Sequence, residues 1–174
     1  MNFSQFKAIA IPEGNVKKIV SGGVTLWEKG YTNMVPLSID TDGSIYNGVG
    51  YMEDYRMNSS GAVVAMDGAV HSGYVPMTPG DVLRAAGTIN ASYTAGGNYI
   101  TLYDASFNRL RTETFSNAMT YFSGVFEAMD DTHYMTTFDT AAATVDISSA
   151  AYFRISMASC AGSDFIITVN EEIV

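Results

Sequence analysis

The C-terminal part of the chain carries the pattern that most restricts its fold. Tyr152–Met157 has an apolar side chain at every second position, and Phe165–Val169 repeats this alternation. Because successive side chains of a strand point to opposite faces of a sheet, the pattern is typical of half-buried strands. The chain is therefore predicted to end in two antiparallel strands, and neither segment carries a catalytic motif.

Turn-forming sequences separate short apolar runs along the whole chain. They are Pro12–Gly14, Ser21–Gly23, Asp40–Gly43, Asn58–Gly61, Thr78–Asp81, Ala95–Asn98 and Ala161–Ser163. Many short strands with this punctuation favour an all-β sandwich or barrel, and we predict an antiparallel β-sandwich. Strands are predicted near residues 6–11, 15–20, 24–28, 34–39, 45–56, 62–66, 70–77, 81–88, 98–104, 110–115, 121–127, 133–138, 150–158 and 164–170.

The first part of the chain has the pattern of a separate small module. Val16–Val20 and Val24–Glu28 flank a Ser-Gly-Gly turn, which predicts a tight β-hairpin because glycine supplies the positive φ that such turns need. An isolated hairpin is only marginally stable in water, so it must pack against another surface. We predict an N-terminal hairpin module over residues 1–30 and a β-sandwich over residues 31–174.

One region also fits a helix. Its apolar side chains are spaced by three and four residues, at Phe115, Met119, Phe122, Phe126 and Met129. Gly124 and the local serine and threonine content disfavour a helix. We predict strands here, with a helix as the alternative.

The charge of the chain argues against several classes of function. Eighteen acidic and nine basic residues give a formal net charge of −9, and Lys17–Lys18 is the only pair of adjacent lysines. A nucleic-acid partner is therefore not expected, since it requires a basic surface. No stretch has the length or apolar character of a membrane span or a secretory signal, so a soluble protein is predicted. The small charged fraction, 16%, suits packed oligomers.

No residue pattern predicts a reaction. The Gly-x-Ser-x-Gly motif of hydrolases is missing, and His71 and Ser72 are neighbours that would point to opposite faces of a strand. The carboxylate pairs Glu53–Asp54 and Asp130–Asp131 fit solvated loops better than a glycosidase pair. The single cysteine, Cys160, is predicted to be a small buried side chain. We predict a protein that is not an enzyme.

Asp40 and Asp42 are the strongest candidates for a metal site. They alternate before Gly43, and oxygen ligands around a glycine turn suit calcium. The twelfth position of an EF-hand would need an acidic residue, whereas this chain has Tyr51. An ordinary turn is the favoured interpretation, with calcium as the alternative, and no cofactor is predicted.

Tyrosines are the candidates for ligand contact. Tyr46, Tyr51 and Tyr55 lie in one short segment, and Tyr99 and Tyr103 share one face of a predicted strand. An aromatic ring can stack on the C–H groups of a sugar, which predicts a glycan site at these residues. The alternative is packing against the second sheet or a neighbouring subunit.

Three parts of the chain, in this order, resemble tail-associated virion proteins of phages and prophages from Gram-positive bacteria. They are Ile9–Ile19 with Gly22–Trp27, Gly73–Leu83 with Tyr99–Asn108, and Ala151–Ile155 with Asp164–Glu171. The resemblance implies a jelly-roll module similar to carbohydrate-binding domains, with the N-terminal hairpin as an attachment module. It further implies a baseplate, tail-tip or receptor-binding role in the virion, after synthesis in the cytoplasm of a bacterial host.

The resemblance also implies partners. They are other tail proteins, a cell-surface glycan and further copies of the same chain, most simply as a trimer. A free-standing carbohydrate-binding module and, less favoured, a glycan-degrading enzyme are the alternative functions.

Overall fold

The computed structural model describes residues 18–21, 24–28, 50–88, 98–114, 121–129, 133–158, 160 and 164–173. The described residues form strands, turns and short 3₁₀ segments, and none of them is in an α-helix. The predicted all-β class is thus confirmed. The chain divides into two compact units, Met1–Tyr31 and Thr32–Ile173.

The first unit contains an antiparallel hairpin. Strand β1 (Lys18–Ser21) pairs with β2 (Val24–Glu28) so that Ser21 faces Val24, and the register shifts once, between Ile19 and Val20. The pairing of the two strands of a hairpin follows from its local turn sequence, which is why that sequence could predict it. Its role as an attachment module stays a prediction.

Within the described residues, the second unit contains ten strands in two antiparallel sheets. They are β3 (Tyr51–Met57), β4 (Val63–Ser72), β5 (Val75–Pro76), β6 (Val82–Thr88), β7 (Tyr99–Asp104), β8 (Arg109–Thr114), β9 (Ser123–Ala128), β10 (His133–Asp139), β11 (Ala150–Met157) and β12 (Ile166–Val169), with the 3₁₀ segment at Thr140–Ala142. The six-stranded sheet has the order β3-β4-β11-β7-β8, with β5 beside β11. The four-stranded sheet has the order β12-β6-β10-β9.

One hydrophobic core joins the two sheets. Its largest fully buried side chains come from both of them and from Phe165, just before β12: Leu83, Ile100, Leu102, Phe138, Phe153, Ile155, Met157, Phe165 and Ile167. On β11 and β7 these residues occupy every second position, as the alternation predicted. The arrangement is sandwich-like, because each sheet buries one face against the other.

The region that also fitted a helix forms a strand where the structure describes it. Ser123–Ala128 is β9, paired with β10 from Ser123↔Asp139 to Ala128↔Tyr134, and residues 115–120 lie outside the described segments. Strand propensity and pairing with β10 outweigh the helical spacing of the apolar side chains. The strand prediction for residues 121–127 is confirmed.

The β3–β4 hairpin bends sharply in its middle. Its register jumps from Glu53↔Val70 to Tyr55↔Ala65, so β4 carries several extra residues at the bulge. Asp54 has φ 62° and Gly68 has φ 71°, and the Asp54 Oδ1 accepts a hydrogen bond of 2.9 Å from the Gly68 N–H. Bulges of this kind bend a strand and increase its twist.

The bend carries the far half of this hairpin over the outer face of the six-stranded sheet. The Met57 N–H donates to Ser156 Oγ at 2.8 Å, and a Cβ added to Gly61 would lie 2.5 Å from Arg109 Cδ. The outer face is therefore partly buried. The prediction of two separate strands at 62–66 and 70–77 is wrong, because β4 is continuous through the bulge and the break falls at Gly73–Tyr74.

Gly87 is a position where a side chain does not fit. A Cβ there would lie 2.5 Å from Cys160 Sγ and 3.4 Å from the Asp164 carbonyl oxygen. Gly87→Ala is expected to lower the free energy of unfolding by about 1–3 kcal/mol through overpacking. Denaturant unfolding measures this change, and it should shrink in a Cys160→Ala background, where Sγ is absent. An equal cost in both backgrounds would show that Cys160 is not the obstacle.

Candidate functional site

The first group of predicted tyrosines does not form one row. Tyr46 lies outside the described residues. Tyr51 is half-buried and packs against the core, whereas Tyr55 is 40% exposed. The bulge at Asp54 separates the two along β3. A sugar stacking on Tyr55 would therefore not reach Tyr51 along the same face.

Tyr99 and Tyr103 share the outer face of β7, but differ in their surroundings. Tyr103 is 5% exposed, with its ring edge-on to Tyr74 at 4.8 Å and its hydroxyl 3.9 Å from Met57 Sδ. Burial raises the pKa of Tyr103. Tyr99 is half-buried, with the Arg56 guanidinium 5.9 Å from its ring centre. Tyr103 thus packs inside the protein, under the β3–β4 hairpin.

A buried arginine organises the aromatic side chains on this face. Arg154 is 6% exposed, and its guanidinium carbon lies 4.3 Å from the ring centre of Tyr74. Its Nε donates to the Ser72 carbonyl at 3.1 Å, at the break between β4 and β5. Phe107 lies 4.9 Å from Tyr74 and stacks on Tyr152 at 4.7 Å. We call Arg154, Tyr74, Tyr103, Phe107 and Tyr152 the Arg154 cluster.

Phe107 reaches this cluster from the β7–β8 turn. Its φ of 63° is unusual for an aromatic residue, and the turn around it is held by Asp104. The Asp104 Oδ1 accepts hydrogen bonds of 2.8 Å from the N–H groups of Ser106 and Asn108. The Asn108 side chain, followed by these backbone groups, lowers the pKa of Asp104. The turn thereby presents Phe107 to Tyr152.

The outer face of the four-stranded sheet carries a groove. It has a volume of about 310 Å³. Its lining combines three apolar, one hydroxyl and three charged side chains, and we call it the sheet groove: Arg84, Val125, Glu127, Met135, Thr137, Glu172 and Ile173. Outward-facing positions on three neighbouring strands supply most of this lining.

Strand register brings the groove residues together. Thr137 on β10 lies between Arg84 on β6 and Val125 on β9. Two residues along the strand, Met135 pairs with Glu127 on β9. Side chains of directly paired residues on one face lie close to each other, so these rows form a continuous surface across the sheet.

One wall of the groove depends on Asn170. This residue has φ 60°, a conformation that asparagine tolerates better than most residues, and it follows directly after β12. Its backbone N–H donates to the Val82 carbonyl at 2.8 Å, and its Oδ1 accepts from the Val82 N–H at 2.9 Å. Arg84 Nη1 donates to the Glu171 carbonyl at 3.0 Å. The chain is thus turned back along the groove before Glu172.

His71 and Ser72 are the last two residues of β4. Both are fully buried. His71 Nδ1 lies 3.0 Å from Ser156 Oγ, whereas Ser72 Oγ accepts from the Ile155 N–H at 2.9 Å. Burial first, and then the positive charge of Arg154, lower the pKa of His71 well below its usual value. These two side chains hold strands together and do not form a nucleophile–base pair with each other.

The structure describes the predicted buried thiol, Cys160, but not the predicted calcium ligands. Asp40 and Asp42 lie outside the described residues, so calcium at that turn stays a prediction. Within the described segments, no group of three or more His, Cys, Asp or Glu side chains could hold a metal ion. Cys160 is 3% exposed, and burial, followed by the nearby Asp164 carboxylate, raises the pKa of its thiol to about 12. The prediction that Cys160 is buried is confirmed.

None of the helical turns in the described segments could cross a lipid bilayer. Comparisons with protein-family models, curated proteins and solved structures find no match for this chain. The Arg154 cluster is largely buried, whereas the sheet groove is open to solvent.

Proposed function

We propose that this chain is a non-enzymatic tail protein of a phage or prophage and that its sheet groove binds a polysaccharide of the host cell surface. The observation that carries the proposal is the groove itself. Its volume of about 310 Å³ is at the lower end of the range for small-ligand sites. Such sites combine apolar side chains with polar groups that orient the ligand, and the lining of this groove contains both kinds.

The lining suits a sugar chain that lies across the strands. Val125 and Met135 offer apolar contact to the C–H faces of sugar rings. Thr137 can donate or accept a hydrogen bond, Arg84 can donate, and Glu127 can accept from hydroxyl groups. Val125 is 53% exposed and so is directly accessible to a ligand. The apolar contact comes from aliphatic and thioether side chains, instead of the tyrosines that the sequence predicted.

We further propose that the two sheets form a jelly roll and that the protein is part of a phage tail. The sequence stretches that resemble tail proteins run through β5–β7, β11 and β12, which together contribute to both sheets. Two antiparallel sheets with a common core are the architecture that a jelly roll requires. Assembly as a homotrimer, with the N-terminal hairpin module attached to other tail proteins, completes the proposal.

Val125→Asp is expected to weaken glycan binding at least about tenfold, which corresponds to about 1.4 kcal/mol, because it replaces an apolar contact in the groove by a hydrated carboxylate. A glycan array first identifies a bound polysaccharide, and biolayer interferometry then measures the dissociation constants. Val63→Asp is the matched control, since Val63 is also an exposed strand valine, 41% accessible, but lies on β4 of the other sheet. Equal losses for both variants would place the site outside the groove.

A glycan-degrading enzyme is the second candidate, because Glu127 and Glu172 both line the groove. Two carboxylates on either side of a glycosidic bond are the usual requirement for its hydrolysis. Incubation of the bound polysaccharide with the protein, followed by an assay for new reducing ends, separates the two functions. A signal that disappears in both Glu127→Gln and Glu172→Gln would favour the enzyme over the binding protein.

A further inference from the structure

We infer that the sheet groove selects uncharged polysaccharide over polyanionic cell-surface polymers, such as those linked through phosphate. The inference rests on the proposed function and adds the chemical class of the ligand. Three charged side chains line the groove, and two of them, Glu127 and Glu172, are carboxylates against the single guanidinium of Arg84. The formal charge of the lining is therefore negative.

The guanidinium is not fully available to an anion. Arg84 Nη1 donates to the Glu171 carbonyl at 3.0 Å, which holds the side chain against the wall that Asn170 sets up. Glu172 follows in the same segment, so a carboxylate accompanies the arginine at this end of the groove. A phosphate that approached Arg84 would also approach Glu172. The attraction to one group would be offset by repulsion from the other.

The opposite side of the groove is also acidic. Glu127 lies on β9, and among the charged groups that line the groove no second cation balances it. A polymer with a phosphate in every repeat would place charges near both carboxylates. The protein as a whole carries a net charge of −9. Salt screens this charge, so it repels such a polymer only weakly beyond about one Debye length, roughly 8 Å at physiological salt. Discrimination therefore depends mainly on the groove itself.

An uncharged sugar chain turns the same carboxylates into favourable partners. Sugar hydroxyl groups can donate hydrogen bonds to Glu127 and Glu172, and bonds to ionised acceptors are stronger than those between neutral groups. The apolar side chains Val125 and Met135 then contact the ring faces. Recognition of this kind needs no positive surface on the protein and no negative charge on the ligand.

The double variant Glu127→Gln/Glu172→Gln tests this inference, because it changes the formal charge of the lining from negative to positive with little change of shape. The probes are purified Gram-positive cell walls before and after extraction of their phosphate-linked polymers, together with the soluble extracted polymer as a competitor. The unaltered protein is expected to bind extracted walls at least as tightly as intact walls. The double variant is expected to gain about tenfold in affinity for intact walls.

A matched control removes the same amount of charge elsewhere. Glu53→Gln/Asp67→Asn neutralises two exposed carboxylates on the β3–β4 hairpin, far from the groove in the sheet order. It is expected to leave the preference between the two wall preparations unchanged. A shift equal to that of the groove variant would attribute the selectivity to net charge and overturn the assignment to the groove.

Two further outcomes separate this inference from the proposed function. Tighter binding of the unaltered protein to intact walls, with competition by the extracted polymer, would overturn the inference and leave a glycan-binding tail protein. No binding to either wall preparation, or to any glycan on the array, would overturn the proposed function and the inference with it.

Discussion

Arg154→Ala is expected to lower the free energy of unfolding by about 3 kcal/mol. The truncation removes the hydrogen bond to the Ser72 carbonyl and the contact with the Tyr74 ring, which measure 3.1 Å and 4.3 Å. It also leaves a cavity beneath Tyr74 and Tyr103, both of which are buried. Urea denaturation, monitored by far-ultraviolet circular dichroism, measures the change in the free energy of unfolding.

Arg109→Ala is the matched control for this prediction. Arg109 begins β8 on the same sheet and is exposed, so its truncation is expected to cost no more than about 0.5 kcal/mol. Arg154→Lys is expected to fall between the two, because lysine keeps the charge and loses the planar guanidinium over Tyr74. If Arg154→Ala were as mild as Arg109→Ala, the Arg154 cluster would not hold β5 against β11.

Acidification is expected to destabilise the protein through His71, with a slope of up to about 1.4 kcal/mol per pH unit below about pH 6.5. Burial and Arg154 lower the pKa of His71 in the folded state, so the folded protein keeps this side chain neutral. The unfolded chain binds a proton below about pH 6.5, where a free histidine titrates. Because the unfolded state then holds more protons, stability falls with falling pH until the lowered pKa of folded His71 is reached.

Thermal unfolding at a series of pH values from about 7 to about 5 measures this slope, since carboxylates titrate mainly at lower pH. His71→Asn is expected to be less stable at neutral pH and to show a flatter pH dependence, because the titrating group is gone. His133→Asn is the matched control, since it removes the other of the two histidines. An unchanged slope in His71→Asn would assign the acid sensitivity to other groups.

Protonation of His71 is also expected to destabilise the bent β3–β4 hairpin. His71 contacts Ser156, whose hydroxyl accepts the Met57 N–H at 2.8 Å from the far half of the β3–β4 hairpin. A charged His71 would lie under that half of the hairpin and near Arg154. Stability of the hairpin and ionisation of the histidine are thus linked through one serine.

Much of the strand structure could be predicted, because it depends on local pattern. The alternation in Tyr152–Met157 identified both the strand and the residues that it buries, Phe153, Ile155 and Met157, all of which are fully buried. Period-two burial needs no knowledge of the partner strand. The same holds for the hairpin around Ser21–Gly23, whose turn chemistry is contained in a few residues.

Where local pattern conflicted with tertiary contacts, the prediction failed. Two separate strands were predicted at residues 62–66 and 70–77, whereas the structure shows one strand, β4, with a bulge opposite Asp54. The hydrogen bond between these two residues, which are 14 positions apart, stabilises the bend. The spacing of residues in the sequence does not show that the hairpin folds back over its own sheet.

The candidate site was largely beyond prediction. The tyrosine pattern predicted a ligand contact at Tyr103, which the structure buries beside Tyr74. Arg154 was not predicted to be buried, because a charged residue on an alternating strand suggests an exposed position. The outward positions of Arg84 and Thr137 do follow from alternation within their strands. Nothing in the sequence pairs those strands with each other or adds Asn170 to them.

The sequence by itself determined the position of most of the described strands and which side of them is apolar, because both follow from side-chain chemistry over a few residues. Tertiary structure alone decided which strands became neighbours, and therefore that Arg84, Thr137 and Val125 form one row of a groove. Strand order depends on the closure of long loops and on packing of the whole core, to which residues distant in sequence contribute together.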